Sequence, residues 1–254
     1  MCRHLAYLGP PRALGALLVD PPHGLVRQSW APRRQRHGTV NADGFGVGWY
    51  ADGDPLPARY RRDVPLWADP FFADLARVVR SGALLAAVRS ATPGQAGGEA
   101  AAAPFADGPW LFSHNGCLPG WPHSAASLVA GLPAETLLRT DALTDSGLLW
   151  AMVRDRLASG ESPQRALAAT VHAARAVPDA RLNLLMTDGT QVVATVAGDT
   201  LCHRSSPGEV VVASEPFDDE AGWHDVPDGS VLVATPDRVR TTPLADALNG
   251  TENP

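Results

Sequence analysis

The sequence predicts one α+β domain built from layered sheets with helices packed on them. Three observations lead there. Apolar runs bounded by glycine, proline and asparagine fill the first 116 residues, two consecutive helical patterns occupy the middle, and the last third alternates apolar runs with turn signals such as Asp188-Gly189. No internal repeat or linker divides the 254 residues, and 45% hydrophobic content suffices for a substantial core. A single domain over residues 2–248 is expected, followed by a polar tail over 249–254, "NGTENP".

In chain order, "HLAYLG" reads as a first strand beginning almost at the terminus. Gly44–Ala51, "GFGVGWYA", alternates small and large residues, as a strand does where another backbone approaches closely. Asp69–Arg80 has a helical pattern, with Asp69 as cap and Pro70 at the first position. "GALLAAVR" is a buried strand ending at Arg89, and Thr92–Pro109 has the glycine, alanine and proline content of a loop. Trp110–Gly116 is a strand that stops at Asn-Gly, a turn signal. A helix is expected from Thr144 to Leu157. A second opens at Ser162–Pro163 and ends before Pro178, with Leu167, Thr170, Val171, Ala174 and Val177 on one face. "RLNLLMTDGTQVVATV" is a hairpin, and "GEVVVASEPF" and "GSVLVATP" add strands.

Composition excludes several function classes. The net charge of −6 with no basic block argues against nucleic acid as a partner. No apolar run approaches the ~20 residues of a membrane span, and no signal-peptide pattern opens the chain. The expected location is the cytoplasm, with a small molecule as substrate and no membrane. Cys2, Cys117 and Cys202 are odd in number and widely spaced, so neither a disulfide framework nor a Cys-x-x-Cys metal clip is expected. The chain contains no lysine and no isoleucine, a bias expected of a GC-rich bacterial genome. Schiff-base and Walker-type lysine chemistry is therefore absent.

Five segments carry chemistry. Cys2 stands behind the initiator methionine. Once Met1 is removed, it owns a thiol and a free α-amine whose reference pKa values, about 8.5 and about 7.7–8.0, let the amine act as base for its own thiol. Position alone favours an ordinary buried cysteine. Arg89 ends an apolar strand in "VRSATPG", where a guanidinium fork suits a carboxylate, although a surface arginine is the plainer reading. Asn115-Gly116 in "FSHNG" offers an amide side chain beside a backbone N–H, the parts of an oxyanion hole or of a hairpin turn. His114 before it is read as structural. Asp145 in "LTDSG" sits at a helix start, suited to capping or to holding an ammonium group. "NADGFGVGWY" lacks the spacing of a dinucleotide fingerprint.

Taken in order, Cys2, "NADGFGVGWY", "RSAT", "SHNG" and "TDS" resemble the class II glutamine amidotransferase domains of the N-terminal nucleophile hydrolases. The opening "MCRHLAYLG" and the later "ASEPFDD" bring the chain closer to the stand-alone hydrolases of ergothioneine biosynthesis that act on a γ-glutamyl-hercynylcysteine sulfoxide. The resemblance implies a four-layer αββα sandwich of two mainly antiparallel sheets flanked by helices, and an amidohydrolase needing neither cofactor nor metal. It implies Cys2 as nucleophile, Asn115 and Gly116 as oxyanion hole, Arg89 and Thr92 for the substrate α-carboxylate, and Asp145 for its α-ammonium. The sequence departs from the family at Pro93, where many members have histidine, and at Gly147, where an acidic residue is common. Trp30, Trp49, Tyr50, Trp67, Phe105 and Trp121 are candidates to hold a trimethylammonium on the leaving group. Two other readings stand beside it: a glutaminase subunit that uses the same residues to feed ammonia to a partner synthase, and a binding or metal-carrying domain built around Cys2, His4 and other histidines.

Overall fold

The computed structural model describes residues 2–249; Met1 and residues 250–254 of the expected tail lie outside the described residues. The strands are β1 (Arg3–Ala13), β2 (Phe45–Trp49), β3 (Ala58–Arg62), β4 (Arg80–Val88), β5 (Phe105–Asp107), β6 (Trp110–Cys117), β7 (Arg181–Thr187), β8 (Val192–Val196), β9 (Cys202–Ser206), β10 (Glu209–Ala213), β11 (His224–Asp225), β12 (Ser230–Thr235) and β13 (Arg238–Pro243). The α-helices are α1 (Leu14–Leu18), α2 (Leu25–Gln28), α3 (Phe72–Val78), α4 (Ala126–Ala130), α5 (Ala134–Leu138), α6 (Asp145–Ala158), α7 (Pro163–Ala174) and α8 (Leu244–Asn249). One sheet has the order β11-β9-β10-β1-β4-β2-β3 and the other β13-β12-β8-β7-β6-β5. Every pairing is antiparallel.

The expected four-layer αββα sandwich follows from which side chains each strand sends to which side. Successive residues of a strand point to opposite faces. Along β1, Leu5 and Tyr7 pack with Leu14, Leu17 and Phe72 of the first helical layer, while Ala6 and Leu8 pack between the sheets with Leu185, Val192 and Leu232. β4 and β10 divide in the same way, with Leu84 and Val211 outward, Leu85 and Val212 inward. On the second sheet Phe112, Leu184 and Val193 face α6 and α7. Both faces of the central strands are covered, so "GALLAAV" and "EVVVA" read as continuous apolar runs rather than alternating ones.

The two long helices form where expected. Thr144 accepts the Gly147 N–H to cap α6, and Ser162 accepts the Arg165 N–H before Pro163 at the start of α7. Asp145 is therefore not the cap but the first helical residue. Asp69 does receive the Phe71 and Phe72 N–H groups, but α3 begins at Phe72 and gives way to β4 at Arg80.

Three further expectations need correction. β6 does not turn at Asn-Gly: Asn115 and Gly116 pair with Asn183 and Leu182, so the neighbouring strand overrides the local turn signal. The loop expected over Thr92–Pro109 contains β5. Asn249, assigned to the tail, ends α8. Strands β3, β9 and β13 carry too many polar side chains to have stood out. Among the described residues no helix is long and apolar enough to cross a membrane.

Candidate active site

Strand register brings the chemistry to one end of the sandwich. Arg3 and Phe45 both pair with Val88, so Cys2, Gly44 and Arg89 lie side by side at the same sheet edge. From the second sheet, β6 ends at that edge. His4 Nδ1 lies 2.8 Å from Ser113 Oγ across the space between the sheets. Two residues back along β1 and two forward along β6 reach Cys2 and Asn115, the same inward side of each strand. One cleft is lined by Cys2, Arg89, Thr92, Phe105, Gly116 and Asp145. Asn115 is fully buried behind it.

Cys2 is part-exposed, with its thiol 3.8 Å from the Ser90 carbonyl. All three cysteines are free thiols. Burial pushes the thiols of Cys117 and Cys202 up from their ordinary values.

Arg89 is 8% exposed and its guanidinium meets only neutral acceptors: it donates to Asp43 O at 3.3 Å, Ala96 O at 3.0 Å and Gln95 Oε1 at 3.4 Å. Asp145 is 2% exposed and accepts only from neutral donors. Thr92 Oγ1 (3.1 Å) and the Leu118 N–H (3.0 Å) reach Oδ2, and the Ser146 N–H (2.6 Å) and hydroxyl (3.2 Å) reach Oδ1. Among the described residues neither charge has an oppositely charged side chain in ion-pair range. Burying an unpaired charge is expensive, yet this cleft holds one of each sign. The hydroxyl of Thr92, expected at the carboxylate end with Arg89, is spent on Asp145.

The backbone of Gly116 is arranged by its neighbour. Leu182 gives its N–H to Ala197 O at 2.8 Å on the far side of β7. The pair Gly116–Leu182 is therefore of the non-hydrogen-bonded kind, and the Gly116 N–H points away from β7. On that side β5 reaches only as far as Phe112, so the N–H faces the open cleft. A Cβ at Gly116 would lie 1.8 Å from Arg181 O, so only glycine fits. His114 is structural: Nδ1 lies 3.0 Å from Ser146 Oγ and Nε2 2.9 Å from Arg181 O.

Several residues at this edge were not singled out from the sequence. Glu215 and Arg3 form a wholly buried pair at 3.9 Å, directly beside Cys2 in the chain. Glu215 also accepts the N–H groups of Arg33 and Arg34, tying down the segment before β2. Asp43 accepts the Ala91 N–H and so braces the turn after Arg89. Ser214 accepts the His4 N–H at 3.0 Å. The available signal was a Ser-Glu pair placed directly after an all-apolar strand, where polar side chains are buried only with partners. Of the six aromatic candidates, Phe105 lines the cleft. Tyr50 is committed to Pro109 O and Thr187 O, and Trp30 packs edge-on against Trp67. Among the described residues no group of three or more His, Cys, Asp or Glu side chains is placed to hold a metal ion.

A part-exposed thiol at Cys2, an outward N–H and two charges of opposite sign without an ion-pair partner among the described residues suit acyl transfer from a substrate that carries both an ammonium and a carboxylate. Comparison with known proteins agrees. Residues 25–209 match the model of the class II glutamine amidotransferases. The chain is 43% identical over 245 residues to the γ-glutamyl-hercynylcysteine sulfoxide hydrolase of Mycolicibacterium smegmatis, covering 96% of this chain and all of that one. Among solved structures, a glutamine aminotransferase class-II domain protein from Silicibacter pomeroyi superposes with a TM-score of 0.70 at 25% identity, over 96% of this chain and 99% of that one. The glutamine phosphoribosylpyrophosphate amidotransferase of B. subtilis shares the fold at a TM-score of 0.67 and 16% identity, over 96% of this chain and 49% of that one. With its fold and most of its length accounted for in this way, the chain belongs to the class II glutamine amidotransferases, of the N-terminal nucleophile hydrolase fold.

Proposed function

We propose that the protein is a γ-glutamyl amide hydrolase that converts γ-glutamyl-hercynylcysteine sulfoxide to glutamate and hercynylcysteine sulfoxide in the cytoplasm, without cofactor or metal. The observation that carries the reading is the pair Arg89 and Asp145, buried in one cleft with Cys2 and, among the described residues, in ion-pair range neither of each other nor of any other charged side chain. A γ-glutamyl group brings the missing partners, an α-carboxylate for Arg89 and an α-ammonium for Asp145. Two charge contacts fix its orientation and set the scissile carbonyl over the thiol, turning the attack into a positioned, effectively unimolecular step.

With Met1 removed, the α-amine of Cys2 takes the thiol proton and the thiolate attacks the amide carbon. The carbonyl oxygen gains the negative charge and is held by the Gly116 N–H and the Asn115 amide. Collapse breaks the C–N bond, the α-ammonium returns its proton to the departing amine, and a thioester remains. Water, deprotonated by the same amine, attacks the thioester and releases glutamate and the free thiol. Thr92 holds Asp145 in place through its hydroxyl. The full coverage of a relative whose name carries this activity supports the substrate assignment.

The test is glutamate release by the purified protein from the sulfoxide and, in parallel, from glutamine. The expected result is release from the sulfoxide at least tenfold faster, abolished by Cys2→Ala, with intact mass showing loss of Met1. Rapid cleavage of glutamine with the sulfoxide left intact overturns the proposal in favour of an ammonia-supplying subunit.

A further inference from the structure

The Ser214 hydroxyl, in the "ASEPF" segment, has no part in the chemistry above, yet it lies against the amide assigned to the oxyanion. Asn115 turns Nδ2 toward Ser214 Oγ at 3.4 Å and buries Oδ1 with no donor in reach among the described residues. Ser214 Oγ already accepts the His4 N–H at 3.0 Å. In this arrangement, among the described residues, the hydroxyl proton meets no acceptor and a fully buried carbonyl oxygen goes without a hydrogen bond. Each such loss costs about 1–3 kcal/mol. Half a turn of the amide removes both faults and brings Nδ2 to the position that Oδ1 held. Oδ1 then accepts the Ser214 O–H, the hydroxyl keeps the His4 N–H as its single donor, and Nδ2 is released. The oxygen and nitrogen of an asparagine side chain differ little in shape, so their assignment rests on the hydrogen-bond pattern.

We infer that Ser214 is a positioning residue that locks the Asn115 amide with Nδ2 as a free donor for the oxyanion, an inference that rests on the function proposed above. The polarity of the lock comes from the hydroxyl proton, which needs an acceptor that Oδ1 provides and the amide nitrogen does not; the His4 main-chain N–H holds the hydroxyl oxygen in place. Ser214 is itself held by its N–H to His4 O at 2.9 Å and by its carbonyl to Thr200 Oγ1 at 2.8 Å. The strand carrying the nucleophile and the segment orienting the oxyanion donor are thus joined through one residue.

The test is a double-mutant cycle on glutamate release, with Ser214→Ala and Asn115→Ala. Removing one oxyanion donor lowers kcat by about 10²–10³-fold. Ser214→Ala, which leaves the amide present but free to rotate, is expected to lower kcat by about 10–100-fold with KM within about twofold. In the Asn115→Ala background, Ser214→Ala is expected to cost less than about twofold. A γ-glutamyl aldehyde, whose adduct with the Cys2 thiol is tetrahedral, should lose affinity in step with kcat, while glutamate binds unchanged. Ser214→Cys keeps the volume and a weak donor, should give an intermediate kcat, and serves if the alanine variant does not fold. Losses that multiply in the cycle, or a raised KM at unchanged kcat, overturn the inference. Failure of the wild-type protein to hydrolyse any γ-glutamyl amide overturns the proposed function instead.

Discussion

Two sets of buried arginine and carboxylate sit at the same edge of the sandwich and are built on opposite plans. Arg3 and Glu215 face each other at 3.9 Å with no exposed surface on either side chain. Arg89 and Asp145 are nearly as buried but are held apart, each surrounded by neutral hydrogen-bond partners and each lining the cleft. The first set satisfies its charges within the fold. The second keeps one charge of each sign unspent, which is what recognition of a zwitterionic group requires. Burial of a charge does not tell the two apart; its partners do.

Breaking the closed set is expected to have the largest effect, and on stability. Glu215→Gln leaves the Arg3 guanidinium buried beside a neutral amide and loosens the segment held at Arg33 and Arg34, at a cost of about 3–5 kcal/mol. Equilibrium denaturation checks this; a loss below 1 kcal/mol would show that the pair is not structural. Breaking the open set is expected to act on catalysis. Arg89→Leu or Asp145→Asn should lower kcat/KM for the γ-glutamyl substrate by about 10²–10³-fold, the loss of one desolvated charge contact. The melting temperature should hold or rise, because an unpaired buried charge has been removed. If either variant unfolds instead, the distinction between the sets fails.

The smallest effect is on pH dependence. His4 lies between the sheets, and burial first, then the charge of Arg3, lowers its pKa to about 3. The folded protein therefore keeps His4 neutral where the unfolded chain, near 6.5, binds a proton. The unfolded state binds more protons between pH 6.5 and about 3, so the stability conferred by a neutral His4 is fully present above 6.5 and is lost as pH falls through that window. The expected slope is about 1.4 kcal/mol per pH unit. Denaturation midpoints from pH 7 to 5 measure it, and His4→Asn should flatten the curve by that amount. An unchanged slope in the variant would assign the pH dependence to other groups.

Much of the fold was legible because the central strands are long and apolar and the two main helices carry Thr144 and Ser162 as caps. The edge strands were not, since strands such as β3, "ARYRR", are defined by pairing rather than by hydrophobicity. The turn expected at Asn115-Gly116 shows the limit of local rules. Asn-Gly favours a turn only when no neighbouring strand offers the pair a ladder, and β7 does.

For the site, the family resemblance carried by the ordered motifs gathered Cys2, Arg89, Thr92, Asn115, Gly116 and Asp145 as candidates, a set that supplies the nucleophile, the oxyanion donors and the counter-charges that acyl transfer to a thiol needs. The sequence by itself determined that inventory, the apolar pattern of a layered α+β core and the absence of lysine chemistry. The direction of the Gly116 N–H, the engagement of Thr92 with Asp145, and the division of the buried charges into a closed set and an open one were decided by the tertiary structure alone. Each depends on which strand or loop lies opposite, and hydrogen bonds and charges are paired by proximity in space between residues as far apart in the chain as Arg3 and Glu215.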